Sequence, residues 1–409
     1  MMAVDPLLSP RHAAVALIQP RSVDSLEIPT MAASPRAFHA ALAGYEPTPL
    51  RSAPQAARRL GVREVLVKDE SERLGLPSFK VLGASWAVYR ALVEHLGATL
   101  EEIPSFEQLR ERIAPARPLT LAAATDGNHG RAVAHMAALL GLDARICVPA
   151  DMVPARIEAI ESEGATVTVV EGGYDDAIAR SASDAGERCL VISDTSWPGY
   201  ERVPAWVIEG YSTIFAEVDE ALERDGGAAP DVVVVPIGVG ALAAAAVRHY
   251  WSGSWATGSA SPAAAPASPA AGRPRLVGVE PTSAACVLES VAAGRIVTLD
   301  HPQTSIMAGL NCATPSLIAW PLVSRGIDLY LAAPDGLVGE ATRLLAADGI
   351  VAGECGAAGL AALTALIDEP HLAQARRAVA LGEDSRVLLI CTEGATDPEA
   401  YRRLIGAGG

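Results

Sequence analysis

The chain has 409 residues, a formal net charge of -16 and a pI near 5.0; half of its residues are hydrophobic, yet only 4% are aromatic. So acidic a chain argues against a nucleic-acid or anionic-membrane partner, and its length suggests two or three domain-sized lobes with cores of Ala, Val, Leu and Ile. The six cysteines (Cys147, Cys189, Cys286, Cys312, Cys355 and Cys391) are scattered without CxxC or Cys/His clustering, so reduced thiols and no metal site are expected; Cys286 and Cys312 could pair under oxidation.

Residues 1–45 mix Pro, Ala and Arg without a clean period and read as an irregular N-terminal segment. Their start, with acidic Asp5, shows no charged-then-apolar signal pattern, and the longest apolar run, 232–247, is broken by Pro236, Gly238 and Gly240. A cytoplasmic protein without a membrane span is therefore expected. Helix over 53–60, strand over 64–68 and helix over 81–94 follow, then a polar connection with some helix at 105–113.

From Leu119 strands and helices alternate: strands at 119–124, 144–148, 166–170 and 189–192, helices at 131–140, 154–163 and 175–188. A second alternation runs from Ala205 to the C-terminus, with strands at 231–236, 276–280, 329–332 and 386–391. Short turns between such elements give right-handed βαβ crossovers and parallel sheets flanked by helices. The expected α/β organisation is a smaller lobe over 119–200 and a larger lobe from 46–118 and 201–409. Residues 253–274, almost wholly Gly, Ser, Ala and Pro, read as a flexible insertion.

Basic-residue usage singles out one position. Of 32 Lys plus Arg, only two are lysines, Lys68 and Lys80. Arg can replace a surface Lys as a charge but cannot lose its proton and attack a carbonyl. Lys80 follows a turn-prone Gly-Leu-Pro-Ser and opens a helix, where the dipole favours the neutral amine that a Schiff-base lysine needs. Lys68, on an apolar strand edge, reads instead as a snorkelling surface residue.

Four loops fall at strand ends, where doubly wound folds bind ligands. Thr125-Asp126-Gly127-Asn128-His129-Gly130 offers close backbone approach, a helix N-terminus, an amide and a potential acid or base, or simply an Asx-turn. Gly238-Val239-Gly240-Ala241-Leu242 is an anion nest at a helix start, though not a Walker loop or a full GxGxxG. Asp194, in Ser193-Asp194-Thr195-Ser196-Trp197, is an acid/base or amine-binding group or else a helix cap. Thr392, after an apolar strand, supplies a hydroxyl that could hold a ring nitrogen without protonating it.

Together these strings resemble a known family. Ser78-Phe79-Lys80 resembles the cofactor-lysine motif of fold type II (tryptophan synthase β-like) pyridoxal-phosphate enzymes. Lys68-Asp69-Glu70-Ser71, Ala124-Thr125-Asp126-Gly127-Asn128-His129-Gly130-Arg131, Ser193-Asp194-Thr195, Met307-Ala308-Gly309-Leu310 and Thr392-Glu393-Gly394 resemble the 2,3-diaminopropionate ammonia-lyases. The likeness covers about 45–405. It implies a two-lobe fold, pyridoxal 5'-phosphate as cofactor, a small amino-acid substrate and a homodimer.

Residue by residue, the resemblance implies that Lys80 joins the cofactor as a Schiff base and moves protons. Phe79 would lie against the pyridine ring, and Asn128 would bond its phenolic oxygen. Gly238, Val239, Gly240, Ala241 and Leu242 would cradle the phosphate, and Thr392 would face the ring nitrogen. Asp126 and Asp194 would bind the substrate's second amino group and take part in proton transfer. The implied reaction is α,β-elimination to pyruvate and two ammonia. A threonine/serine or hydroxyaspartate dehydratase would need less carboxylate, and a β-replacement synthase would need a second-substrate pocket. A plain Rossmann-like binding protein leaves the four-loop coincidence unexplained. Glu354 and Cys355 either border the cofactor or start a helix.

Overall fold

A computed structural model describes residues 13–19, 26–31, 33–125, 127–253 and 272–406. The chain divides into two units: Met1–Thr30, Thr48–Glu72 and Ile214–Gly409 form one, and Met31–Pro47 with Arg73–Thr213 form the other.

The larger unit is built on alternating apolar strands and helices. Its strands are β1 (Val15–Ile18), β2 (Leu50–Ser52) and β3 (Glu64–Asp69), then, after β4 (Thr120–Ala124), β5 (Asp143–Pro149), β6 (Thr166–Val170) and β7 (Cys189–Val191) of the smaller unit, β8 (Val232–Pro236), β9 (Arg275–Pro281), β10 (Leu329–Ala333) and β11 (Arg386–Cys391). They form one sheet in the order β1-β10-β9-β8-β11-β3-β2. The Val-rich β8 is buried at every residue, as a central parallel strand covered on both faces must be. Helix Glu354–Asp368 is Ala- and Gly-rich and almost wholly buried, so its backbone can lie close to the sheet; Val234 and Leu389 line the space beside Gly359. Parallel pairing of β11 with β8, Leu389 opposite Val234, sends the loops after both strands off the same edge of the sheet.

The smaller unit holds β4 (Thr120–Ala124), β5 (Asp143–Pro149), β6 (Thr166–Val170) and β7 (Cys189–Val191), all parallel, in the order β6-β5-β4-β7. The chain winds outward from β4 through β5 to β6, then returns to place β7 on β4's other side. The loops after β4 and β7 therefore part at a topological switch point, where α/β sheets hold ligands. Helix Lys80–His95 packs on helix Asn128–Leu140 within this unit. A Cβ on Gly210 would collide with the Leu82 carbonyl oxygen, so helix Arg202–Arg224 crosses here at backbone contact.

Several expectations change. The parallel sheets flanked by helices are as expected, but the larger one gains antiparallel edges: β1 pairs antiparallel with β10 and β2 with β3. The N-terminal segment, expected to be irregular over 1–45, contains β1 and helix Pro35–Ala40. That helix is anchored by buried His39, whose ring nitrogens lie 2.7 Å from Thr213 Oγ1 and 3.0 Å from the Leu82 carbonyl oxygen. The two units also divide the chain differently from the expected lobes: 73–118 and 201–213 group with 119–200, and helix Arg202–Arg224 runs through the division at Ile214. Most of the 253–274 insertion lies outside the described residues.

Lys68 is the sharpest correction. It is fully buried, not a surface residue, and its ammonium donates to Glu217 Oε2 at 2.5 Å and to the Thr48 carbonyl at 2.7 Å, with Glu70 at 3.9 Å. Thr48 in turn donates from Oγ1 to Glu70 Oε1 at 2.6 Å and from its backbone N–H to Glu217. Removing one partner of such a buried set strands the others. Lys68→Met is expected to cost about 3–5 kcal/mol of stability, measured by urea unfolding, and the double variant Lys68→Met/Glu217→Gln to recover part of that loss.

Candidate active site

In the smaller unit the site begins where helix Lys80–His95 starts. Ser78 and Phe79 are buried, and the Lys80 N–H lies 3.4 Å from Ser78 Oγ. Phe79 packs on the Tyr211 ring with centroids 4.7 Å apart, and Lys80 Nζ sits 5.5 Å from the Phe79 ring centre. The ammonium of Lys80 donates to Asp194 Oδ2 at 2.6 Å; their side chains are 16% and 5% exposed. Two residues 114 apart in sequence thus meet in one ion pair.

Asp194 is delivered by a folded turn. The Tyr200 hydroxyl donates to the Val191 carbonyl at 2.6 Å and accepts from the Ser193 N–H at 3.1 Å, and Tyr200 stacks on Trp197 with centroids 4.3 Å apart. Gly199, at φ +86°, closes the turn. Tyr174 donates to Asp194 Oδ1 at 3.2 Å. His129 Nδ1 lies 4.0 Å from Asp194 Oδ2, while its Nε2 is 2.8 Å from the Ile192 carbonyl oxygen. Burial pushes the Asp194 carboxyl up, but the charges of Lys80 and then His129, with hydrogen bonds from Lys80 and Tyr174, hold it well below the usual carboxylate range.

The loop after β4 starts helix Asn128–Leu140. Thr125 Oγ1 accepts from the N–H groups of Gly127 and Gly130, and Gly127 takes φ +142°. Asn128, half-buried, is the first helical residue. Asp126 lies outside the described residues.

In the larger unit, Gly238, Val239 and Gly240 link β8 to helix Ala241–Trp251. Gly240 takes φ +103°, and a Cβ on Gly238 would approach Cys312 Sγ and the Gly309 carbonyl at 3.2 Å. The amides of Ala241 and Leu242 open the helix, the setting for an anion. At the end of β11, Thr392 is buried and its Oγ1 has no hydrogen-bond partner among the described residues. Glu354 and Cys355 start helix Glu354–Asp368, and the Cys355 N–H donates to Glu393 Oε1 at 3.2 Å. Cys286 and Cys312 are both buried.

Each unit, taken by itself, offers groups that suit one part of a pyridoxal phosphate. An orphaned hydroxyl suits a ring nitrogen, a glycine nest with a helix start suits a phosphate, and a carboxylate-paired lysine opening a helix suits an aldehyde. A model of the pyridoxal-phosphate dependent enzyme family matches residues 41–393. Diaminopropionate ammonia-lyase of Escherichia coli (strain K12) is 35% identical over 381 residues, covering 91% of this chain and 90% of that protein. This chain belongs to the diaminopropionate ammonia-lyase family.

Crystal structures agree with that membership. The Escherichia coli diaminopropionate ammonia-lyase in complex with D-serine matches with TM-score 0.83 and 32% identity over 97% of this chain and 98% of that one. The same enzyme with an aminoacrylate-PLP azomethine reaction intermediate matches with TM-score 0.81 and 31% identity, again over 97% and 98%. The fold is accordingly fold type II, and the family's cofactor is pyridoxal phosphate.

Sequence reasoning brought Lys80, Asp194 and Phe79 to one place but missed Tyr174. Nothing in Gly172-Gly173-Tyr174-Asp175 signals chemistry; only the fold carries that hydroxyl to Asp194. His129 stood within a quoted loop without a role.

Two outcomes follow from the polar atoms. The folded pKa of Asp194 lies below the unfolded value of about 3.9, so its contribution is complete above that value and is lost as pH falls below it. In cofactor-free protein, the stability difference between wild type and Asp194→Asn is expected to stay level above about pH 5 and to shrink steadily toward acid in urea titrations. Thr392→Val removes an unpartnered hydroxyl at constant shape. The cofactor-free protein is then expected to be as stable or up to about 1 kcal/mol more stable, while equilibrium dialysis shows weaker cofactor retention.

Proposed function

We propose that this chain eliminates ammonia from 2,3-diaminopropionate, the products being pyruvate and two molecules of ammonia per substrate and water consumed. The observation that carries the reading is the Lys80–Asp194 pair: an amine at a helix start against a buried, ionised carboxylate. When bound, the cofactor supplies an electron sink for negative charge at the substrate's α-carbon. Everything else falls to side chains and backbone.

Lys80 would hold the cofactor's aldehyde carbon, and its freed amine would be the base for an α-proton. Phe79 would lie beside the pyridine ring, Asn128 would bond the phenolic oxygen, and Thr392 Oγ1 would face the ring nitrogen as a neutral partner. The amides of Gly238, Val239, Gly240, Ala241 and Leu242 would bind the phosphate. Asp194, with Asp126, holds the substrate's β-amine as an ammonium. A protonated amine departs as neutral ammonia, whereas a free amine would have to leave as a strong base. An ionised carboxylate therefore serves an amine leaving group better than a hydroxyl, which favours diaminopropionate over serine or threonine.

The proposal includes a cytoplasmic homodimer, supported by the scattered cysteines of the sequence and by the family resemblance. Among the described residues no helix is long and apolar enough to cross a membrane.

The decisive experiment supplies purified, cofactor-loaded protein with D- and L-2,3-diaminopropionate, serine and threonine, and measures pyruvate or the corresponding oxoacid. Diaminopropionate is expected to give the highest kcat/KM, with turnover and the protein-bound visible absorbance both lost in Lys80→Ala. Asp194→Asn is expected to lower kcat/KM for diaminopropionate by about 10²–10⁴-fold. Faster turnover of serine or threonine would overturn the substrate assignment. Sedimentation velocity checks the dimer.

A further inference from the structure

The two oxygens of Asp194 are held by different kinds of donor. Oδ2 receives the Lys80 ammonium at 2.6 Å, and Oδ1 receives the Tyr174 hydroxyl at 3.2 Å. On the Oδ2 side stands His129 Nδ1, 4.0 Å away. A backbone carbonyl only accepts, so the 2.8 Å contact of His129 Nε2 with Ile192 fixes the proton on Nε2 and turns the Nδ1 edge toward the carboxylate. Under the proposed reaction, Lys80 must leave Oδ2 to do its work. Tyr174 need not move.

Tyr174 opens helix Tyr174–Ala182, and its ring packs against the buried cluster of Ala124, Cys147 and Ala177. Those contacts come from β4, β5 and its own helix, so the phenol is anchored by the sheet that also carries the Asp194 loop. A carboxylate held at one oxygen by an anchored donor keeps its other oxygen aimed in one direction.

We propose that Tyr174 is a specificity-determining positioning residue: by clamping Asp194 Oδ1 it presents Oδ2 to a substrate ammonium and so sets the preference for an amine over a hydroxyl leaving group. This rests on the reading above that Asp194 receives the substrate's second amino group. A serine hydroxyl gains little from an aimed anionic oxygen. An ammonium gains a charge-assisted bond whose strength depends on that aim.

The test compares wild type with Tyr174→Phe, which keeps the ring and its packing. The ratio of kcat/KM for diaminopropionate to that for D-serine is expected to fall by about 10-fold or more, the range for a hydrogen bond to a charged group. The serine value itself should change less than about twofold, the protein-bound visible absorbance should stay, and in an Asp194→Asn background Tyr174→Phe should have no further effect. In cofactor-free protein, the acid loss of stability belonging to Asp194 should begin at higher pH in Tyr174→Phe, because a bond favouring the ionised form is gone.

Equal losses on both substrates, or an unchanged ratio, overturn the proposal for Tyr174. If Asp194→Asn itself leaves diaminopropionate turnover intact, it is the underlying assignment of Asp194 that fails. An unshifted acid limb with a lowered ratio would also overturn the clamp, since Tyr174 would then act on substrate without acting through Asp194.

Discussion

Both lysines of this chain end against carboxylates, and the contrast between the two contacts organises the rest of the molecule. Lys68 is fixed by Glu217, by the Thr48 carbonyl and by nearby Glu70, in a cluster that water does not reach. Desolvating that many charges is tolerable only because each has a partner, and the result pins β3 to the segment before β2 and to the helix carrying Glu217. Lys80 pairs with Asp194 and keeps some solvent exposure. One amine is locked and the other can be released. A lysine that is to exchange partners during a reaction has to be of the second kind.

The sheets place the remaining groups by a simple rule. In each unit parallel strands present their carboxyl ends on one edge, and the informative loops lie there: after β4 and β7 in the smaller sheet, after β8 and β11 in the larger. The order β6-β5-β4-β7 separates the loops after β4 and β7 at the reversal of winding, leaving room for a ligand beside β4. In the larger sheet, close approach at Gly238 and the left-handed turn at Gly240 expose amides where a side chain would obstruct them. Thr392 leaves the next strand over with its hydroxyl unsatisfied. Native proteins rarely bury a polar atom without a partner, so such an atom marks a place made for something else.

Much of this was legible beforehand, and the failures have definite causes. β8, Ala241–Trp251 and β11 fall where apolar runs and Gly or Pro breaks place them, because local pattern and tertiary burial agree there. The start of the helix at Lys80 was marked by the preceding Gly-Leu-Pro-Ser, whereas the resemblance gave Lys80 and Asp194 separate roles and did not foretell their ion pair. The edge strands β1 and β2 were missed, since three or four residues give no periodicity and β1 pairs with β10 more than 300 residues away. The burial of Lys68 was invisible for the same reason: its partner Glu217 lies 149 positions on. Tyr174 had no motif at all, because a hydroxyl acquires meaning only from what the fold sets opposite it.

The scarcity of lysine has a practical corollary. With Lys68 sealed in the interior at 1% side-chain exposure, Lys80 at 16% is the one ε-amine that solvent can touch. Acylating labels, amine cross-linkers and reducing sugars, which scatter over the surface of most proteins, therefore have a single side-chain address here. Apart from the terminal amine, the mass gained on treatment reads out whether that one nitrogen is engaged.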